Sequence, residues 1–255
     1  MKIEKIKETD ERISFLVKDA DFSFMNAIRR SIFEIPVLAF DTIEFYKNDS
    51  ALYDEILAHR IGLVPLKAPK SFTRKEECSC EGKGCMKCTT SFKLKAKGPG
   101  TVYSSELKGK GANIIYKDMP LVILDKDQEL EFSADATLGT GKEHSKFSPG
   151  LAWFNSFPEI TIKGCDGCSK CINVCPKKAI SMKGKEITID PMKCDMCEAC
   201  VDVCKELKDA IKINPSQGNF IFTIEAFGQL EPRDIFIESI KTLDSNLKQI
   251  EKEVK

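Results

Sequence analysis

Cysteines are the residues of this chain best suited to do chemistry, and eight of the 12 form two runs with identical spacing. Each run reads C-x2-C-x2-C-x3-C, and each cysteine of the second run lies 29 residues after its counterpart. The runs are Cys165, Cys168, Cys171 and Cys175, then Cys194, Cys197, Cys200 and Cys204. Thiolates with this spacing bind iron–sulfur clusters, because three of them can hold one cluster from a single loop. The spacing therefore predicts two [4Fe–4S] clusters.

The fourth cysteine of each run is expected to bind the cluster of the other run, because two-cluster domains with this spacing exchange that ligand. The predicted ligand sets are Cys165, Cys168, Cys171 and Cys204 for cluster 1, and Cys175, Cys194, Cys197 and Cys200 for cluster 2. Zinc knuckles and disulfides are the alternative interpretations of grouped cysteines. Eight ligands in complete runs favour the clusters over both. Pro176 follows the first run, as in ferredoxins, whereas Lys205 takes that place after the second.

A second group of four thiols lies within eleven residues. It consists of Cys78, Cys80, Cys85 and Cys88, with the spacing C-x-C-x4-C-x2-C. Four thiolates this close in sequence can surround one tetrahedral zinc ion. Free thiols and disulfides are the alternatives. We expect a zinc site, and the three interpretations stay open at this stage.

The composition restricts the classes of protein to which the chain can belong. Its 255 residues include 39 Lys plus Arg and 39 Asp plus Glu. A protein that binds nucleic acid strongly by itself carries a basic excess, so strong direct binding is not expected. The first residues are too charged for a signal peptide, and no apolar run reaches the ~20 residues that span a membrane. Many cysteines without a secretion signal predict thiolate ligands in a reducing cytoplasm.

Hydrophobic patterns divide the chain into regions of different secondary structure. Alternating Ile13, Phe15 and Val17 predict a strand, and a helix follows with Phe24, Ile28 and Ile32 on one face. Asp21 or Ser23 can cap that helix. Residues 48–160 are predicted to be rich in β-strands. The cysteine runs stand between short strands, and a further strand is predicted at residues 220–226.

A long helix is predicted to begin at Pro232. Its apolar residues recur every three or four positions: Phe236, Ile240, Leu243, Leu247, Ile250 and Val254. This heptad stripe is narrow, and a narrow stripe suits another helix better than a broad protein core. The alternative is that the stripe packs on the chain's own sheet. We expect a partner.

Three stretches resemble one known family. They are residues 24–30 (FMNAIRR), 54–66 (DEILAHRIGLVPL) and 138–149 (LGTGKEHSKFSP), and residues 227–230 (FGQL) also fit. Together they resemble the assembly subunit of multisubunit RNA polymerases, the counterpart of the bacterial α N-terminal domain. Within that family the chain is similar to the archaeal members, some of which carry a ferredoxin-like insertion.

The resemblance implies an α+β fold with a split dimerisation domain, built from an antiparallel sheet and helices. That domain would comprise residues 1–47 and 219–255. A β-rich domain with the cysteine loop (48–160) and a ferredoxin-like α+β domain with two [4Fe–4S] clusters (161–217) would be inserted into it. The family also binds zinc at the place of the Cys78 loop.

The resemblance also implies partners. The chain would form a heterodimer with subunit L, then recruit subunits N and P and the large catalytic subunits. The helices facing subunit L would present Phe24, Ile28, Ile32, Phe236, Ile240, Leu243, Leu247 and Ile250.

The implied function is a non-catalytic scaffold for transcription, in which the clusters stabilise the fold or tune assembly. No catalytic motif is present, and the catalytic metal of the family lies on another subunit. His59 and His144 are expected to make structural or interface contacts. The alternative function is electron transfer by a ferredoxin-type protein. It is disfavoured because the other two hundred residues lack dinucleotide and flavin motifs.

Overall fold

The computed structural model describes residues 1–69, 71–205 and 210–254. Its helices and strands are, in chain order, β1 (Lys2–Glu8), β2 (Arg12–Lys18), α1 (Phe22–Ser31), β3 (Val37–Asn48), α2 (Asp54–Gly62), β4 (Leu66–Lys67), β5 (Thr89–Lys97), β6 (Gly100–Tyr103), β7 (Lys108–Gly109), β8 (Asn113–Ile114), β9 (Pro120–Leu124), β10 (Glu129–Gly139), β11 (Gly150–Ile162), α3 (Lys170–Val174), β12 (Ile180–Lys183), β13 (Glu186–Ile189), α4 (Ala199–Lys205), β14 (Ile211–Ala226) and α5 (Pro232–Val254). The predicted α+β class and the β-rich character of residues 48–160 are confirmed.

The chain divides into two compact units, each made of segments that are distant in sequence. The first consists of Met1–Glu8, Ile13–Asn26 and Trp153–Thr223, and the second of Thr9–Arg12, Ala27–Ala152 and Ile224–Lys255. A four-stranded sheet in the order β1-β2-β14-β11 joins two strands from the start of the chain with β11 and β14, which lie more than 130 residues later. Its core contains Phe15, whose ring stacks 5.5 Å from that of Phe222, and Phe154, whose ring lies parallel to that of Phe222 at 6.1 Å.

Helix α1 begins where Asp21 caps it. The Asp21 carboxylate accepts hydrogen bonds from the backbone N–H groups of Ser23 (2.7 Å) and Phe24 (3.4 Å), which lack partners inside the helix. Ile28 and Ile32 are only 2% and 0% exposed. Ile28 on α1 and Ile32 in the turn that follows it pack in the chain's own core in this structure, and their contact with a partner stays a prediction. Phe24 is 37% exposed.

A second four-stranded sheet forms the centre of the second unit, in the order β3-β10-β5-β7. β10 lies in the middle and pairs antiparallel with both β3 and β5. One face of this sheet carries Phe40, Phe92 and Phe132, all buried together with Leu57 of helix α2. The antiparallel pair β5–β10 therefore contributes Phe92, Leu94, Leu130 and Phe132 to this core.

Helix α5 begins at Pro232 as predicted, and its apolar stripe changes environment along its length. Phe236 and Leu243 are half-buried, whereas Ile240, Leu247 and Ile250 are 39%, 57% and 57% exposed. The Asn246 amide donates a 2.7 Å hydrogen bond to Glu34, which holds the middle of the helix against the turn that follows α1. Among the described helices, none is long and apolar enough to cross a membrane.

Gly150 is a position where added volume should destabilise the second unit. A Cβ atom there would lie 2.3 Å from the backbone oxygen of Glu225, and backbone cannot move aside as a side chain can. We predict that Gly150→Ala lowers the free energy of unfolding by about 1–3 kcal/mol, measured by urea denaturation with circular dichroism.

Gly218→Ala is the matched control, since a Cβ there would meet its nearest atom, the Ala20 oxygen, at 3.9 Å. It should change the free energy of unfolding by less than about 0.5 kcal/mol. Equal effects of the two substitutions would contradict the steric argument.

Candidate metal centres

Two cavities in the first unit collect the eight cysteines of the paired runs. The first cavity is lined by Cys165, Cys168, Cys171 and Cys204. The second is lined by Cys175, Cys194, Cys197 and Cys200. The structure therefore brings together the same two groups of four thiols that the spacing predicted, including the exchanged fourth cysteine.

The exchange of the fourth cysteine follows from the two short helices. Helix α3 carries Cys171 in its first turn and is capped at its C-terminus by Cys175, and α4 carries Cys200 and Cys204 in the equivalent positions. Residues four apart lie on one helix face but about 6 Å apart along the axis. Because α3 and α4 pack against each other, each helix reaches one cavity with its first cysteine and the other cavity with its last.

The two cysteine loops have the same unusual backbone conformation. Gly167 and Met196, which occupy equivalent positions, have φ of 75° and 57°. Ser169 and Glu198, also equivalent, both have φ of 59°. A left-handed residue other than glycine costs about 1 kcal/mol, so each loop is held in a conformation that its sequence does not favour. Ligand–metal bonds formed by the flanking cysteines are a means of offsetting that cost.

The thiols are crowded, and their protonation depends on that crowding. Burial raises the pKa of Cys171, and the neighbouring Cys165 and Cys168 raise it further. Burial likewise raises the pKa of Cys200 to about 11, and Cys194 adds to the effect. Four thiolates cannot share such a cavity without positive charge between them. The donor set therefore fits iron, which would supply that charge.

Apolar side chains surround both cavities. The buried members of this core are Ile180, Ile187, Val201, Ile211 and Ile213, together with Cys171 and Cys200. The hairpin β12–β13 contributes two of them, and the first residues of β14 contribute two more. A shell of this kind limits the access of water, which is one of the factors that set the potential of an iron–sulfur cluster.

The Cys78 loop forms a third centre, of a different kind. The sulfur atoms of Cys78, Cys80, Cys85 and Cys88 all lie within 4.8 Å of one another. Among the described residues, this is the one group of three or more Cys, His, Asp or Glu that meets this distance. Four thiols this close together can surround a single ion.

Sulfur–sulfur distances in the Cys78 loop fit a tetrahedral ion. Cys78 and Cys85 are 3.5 Å apart, Cys80 and Cys88 are 3.5 Å apart, and Cys85 and Cys88 are 3.9 Å apart. Four thiolates at about 2.3 Å from zinc require sulfur–sulfur distances of about 3.8 Å. A disulfide requires about 2.05 Å, so the loop does not have disulfide geometry, and all four cysteines are free thiols.

One thiol of this loop, that of Cys78, ionises more readily than an ordinary cysteine. The backbone N–H of Cys80 donates to the Cys78 sulfur and lowers the pKa of Cys78 to about 6. Burial, followed by the neighbouring Cys78, raises the pKa of Cys80 to about 11. The backbone N–H of Cys85 also donates to the Cys88 sulfur at 3.3 Å. Such N–H groups stabilise thiolates, which are the form that binds metal.

The two histidines lie away from these centres. His144 caps a short turn, because its Nδ1 accepts a 3.1 Å hydrogen bond from the backbone N–H of Lys146. This is the structural role expected for it. His59 lies in helix α2, and both histidines line one open cavity in the second unit.

Sequence reasoning missed the charged residues that line the two cysteine cavities. They are Asp166 and Lys170 in the first cavity, and Lys177, Asp195 and Glu198 in the second. A signal for them was available, since four of the five stand directly beside a ligand cysteine in the sequence. The cysteine spacing alone does not predict that these charged residues line the cavities.

Two family profiles match separate parts of the chain. Residues 42–150 match the RNA polymerase Rpb3/RpoA insert domain, and residues 164–207 match the 4Fe-4S dicluster domain. The second match agrees with the eight cysteines, so this segment is an iron–sulfur domain of the ferredoxin type.

Whole-chain relatives are archaeal proteins named DNA-directed RNA polymerase subunit Rpo3. The one from Methanothermobacter thermautotrophicus is 41% identical, over 96% of this chain and 95% of its own length. That from Archaeoglobus fulgidus is 36% identical over 98% and 96%, and that from Pyrococcus horikoshii is 32% identical over 95% and 93%. The chain therefore belongs to the archaeal Rpo3 family, and it is an assembly subunit of DNA-directed RNA polymerase and not the catalytic one.

Proposed function

We propose that this subunit nucleates polymerase assembly in the cytoplasm by forming a heterodimer with subunit L. The observation that carries the proposal is the exposed apolar stripe of α5. Ile240, Leu247 and Ile250 are 39–57% exposed on one helix, although each could bury most of its surface against another helix. Subunits N and P and the large catalytic subunits would join the heterodimer afterwards. Electron transfer as the main function is not favoured, because the similarity to Rpo3 covers the whole chain.

The split arrangement of domains is part of this proposal. Residues 1–47 and 219–255 would form the dimerisation domain, residues 48–160 the β-rich insertion, and residues 161–217 the ferredoxin-like insertion. Family matches at 42–150 and 164–207 support insertions at these places. The pairing of β2 with β14 within one sheet supports a domain built from both ends of the chain.

We also propose the metal content. Cluster 1 would be bound by Cys165, Cys168, Cys171 and Cys204, and cluster 2 by Cys175, Cys194, Cys197 and Cys200, because these are the groups that line the two cavities. Zinc would be bound by Cys78, Cys80, Cys85 and Cys88. The clusters would brace the fold and tune assembly, since metal binding and folding are coupled when ligands come from separate loops.

The α5 stripe can be tested by one substitution. Ile250→Glu should reduce the amount of subunit L that copurifies with the chain tenfold or more, because burying an isoleucine contributes about 2 kcal/mol and a buried carboxylate costs more. Ile123→Glu is the control, since Ile123 is 71% exposed on β9, outside α5. Loss of subunit L from both variants, or from neither, would contradict the stripe as the interface.

Metal analysis tests the ligand sets. Anaerobically purified chain should contain about eight irons, four for each cluster, and one zinc. Cys204→Ser should lose the irons of cluster 1, although Cys204 belongs to the second run, and Cys88→Ser should lose only zinc. Survival of cluster 1, the cluster that Cys168 binds, in the Cys204→Ser variant would contradict the proposed exchange of the fourth cysteine.

The role of the clusters in assembly requires a separate test. A variant with all eight cluster cysteines changed to serine should still bind subunit L, because α5 lies outside the cluster domain. We expect it to give a lower yield of complete polymerase in coexpression. An unchanged yield would refute a role of the clusters in assembly, and retained subunit L serves as the control for folding.

A further inference from the structure

The two cluster cavities are close copies in backbone and burial. Equivalent loop residues share left-handed φ values, as described above for Ser169 and Glu198. Equivalent cysteines also match in exposure: Cys168 and Cys197 are exposed, and Cys171 and Cys200 are 6% and 7% exposed. Two factors that tune a cluster, solvent access and loop geometry, are therefore nearly equal in the two sites.

The cavities differ in charge at two neighbouring positions. Where the first loop has Ser169 and Lys170, the second has Glu198 and Ala199. Ser169 and Lys170 line the first cavity, and Glu198 lines the second. The other charged residues that line the cavities reduce this difference in charge only in part. Asp166 and its equivalent Asp195 each line one cavity, and Lys177 adds one positive charge to the second. Among the described lining residues, the first cavity is neutral and the second carries one net negative charge.

We propose that these residues make the two clusters unequal: cluster 2, beside Glu198, has the lower reduction potential, and cluster 1, beside Lys170, takes up an electron first. The inference rests on the proposed presence of both clusters. Reduction by one electron adds a negative charge to the cluster and changes no ligand bond. A nearby carboxylate opposes that added charge and a nearby ammonium group favours it.

The charge of Glu198 can be removed with little effect on the backbone. Glu198 directly follows Cys197 and provides the residue before helix α4, where its backbone oxygen accepts hydrogen bonds from Val201 (2.8 Å) and Asp202 (3.0 Å). Its side chain is not needed for those bonds. Glu198→Gln can therefore remove the charge without disturbing the start of the helix.

The test is a dithionite titration of the full-length, anaerobically purified chain with redox mediators, followed by electron paramagnetic resonance. Cys197→Ser, which keeps cluster 1, and Cys168→Ser, which keeps cluster 2, assign the two signals. We expect the cluster in Cys197→Ser to have the higher midpoint potential. Glu198→Gln should raise the potential of cluster 2 alone, and Ser169→Glu should lower that of cluster 1 alone.

Glu186→Gln is the matched control, because Glu186 is an exposed residue of β13 that lines neither cavity. It should shift neither potential. If the Cys→Ser variants fail to fold, Glu198→Gln and Glu186→Gln in the otherwise native chain still decide the question. Equal potentials, a reversed order, or equal shifts from the two glutamate variants would overturn the inference while leaving the assembly function intact. Absence of iron would overturn both this inference and the proposed cofactors.

Discussion

The mutual crowding of thiols around α3 and α4 is the constraint on which the cluster domain depends. Each helix brings in two cysteines four residues apart, and the pairing of the helices places four thiols in each of two cavities. Burial raises the pKa of Cys171 and Cys200, so the unliganded thiols resist ionisation. Positively charged iron would remove that resistance. The same bonds would offset the left-handed residues of both loops, which makes metal part of the fold.

The rest of the chain reaches its structure by ordinary packing. The sheet β1-β2-β14-β11 gathers Phe15, Phe154 and Phe222, and the sheet around β10 gathers Phe40 and Phe132. Neither core contains a metal ligand of the paired runs. The iron–sulfur domain of this assembly subunit is therefore packed separately from these two aromatic cores.

Periodicity and cysteine spacing predicted much of this structure, because both depend on residues that are close in sequence. They predicted the strand at Ile13–Val17, the start of α5 at Pro232 and the two groups of four cysteines. Periodicity cannot tell which partner an apolar face meets: Ile28 and Ile32 have the same pattern as Leu247 and Ile250, yet only the latter are exposed. The left-handed Met196 and Glu198 were also beyond prediction, because this conformation is unfavourable for their own residue types.

The most direct test of the central claim is hydrogen–deuterium exchange of the full chain with its iron bound and after anaerobic chelation. The account predicts that amides of α3 and α4 lose protection together when iron is removed, because each cavity draws ligands from both helices. Amides of β10 and β14 beyond residue 219 should keep their protection. Unchanged protection of α3 and α4 without iron, or loss from only one of them, would contradict the claim that shared clusters hold this domain together.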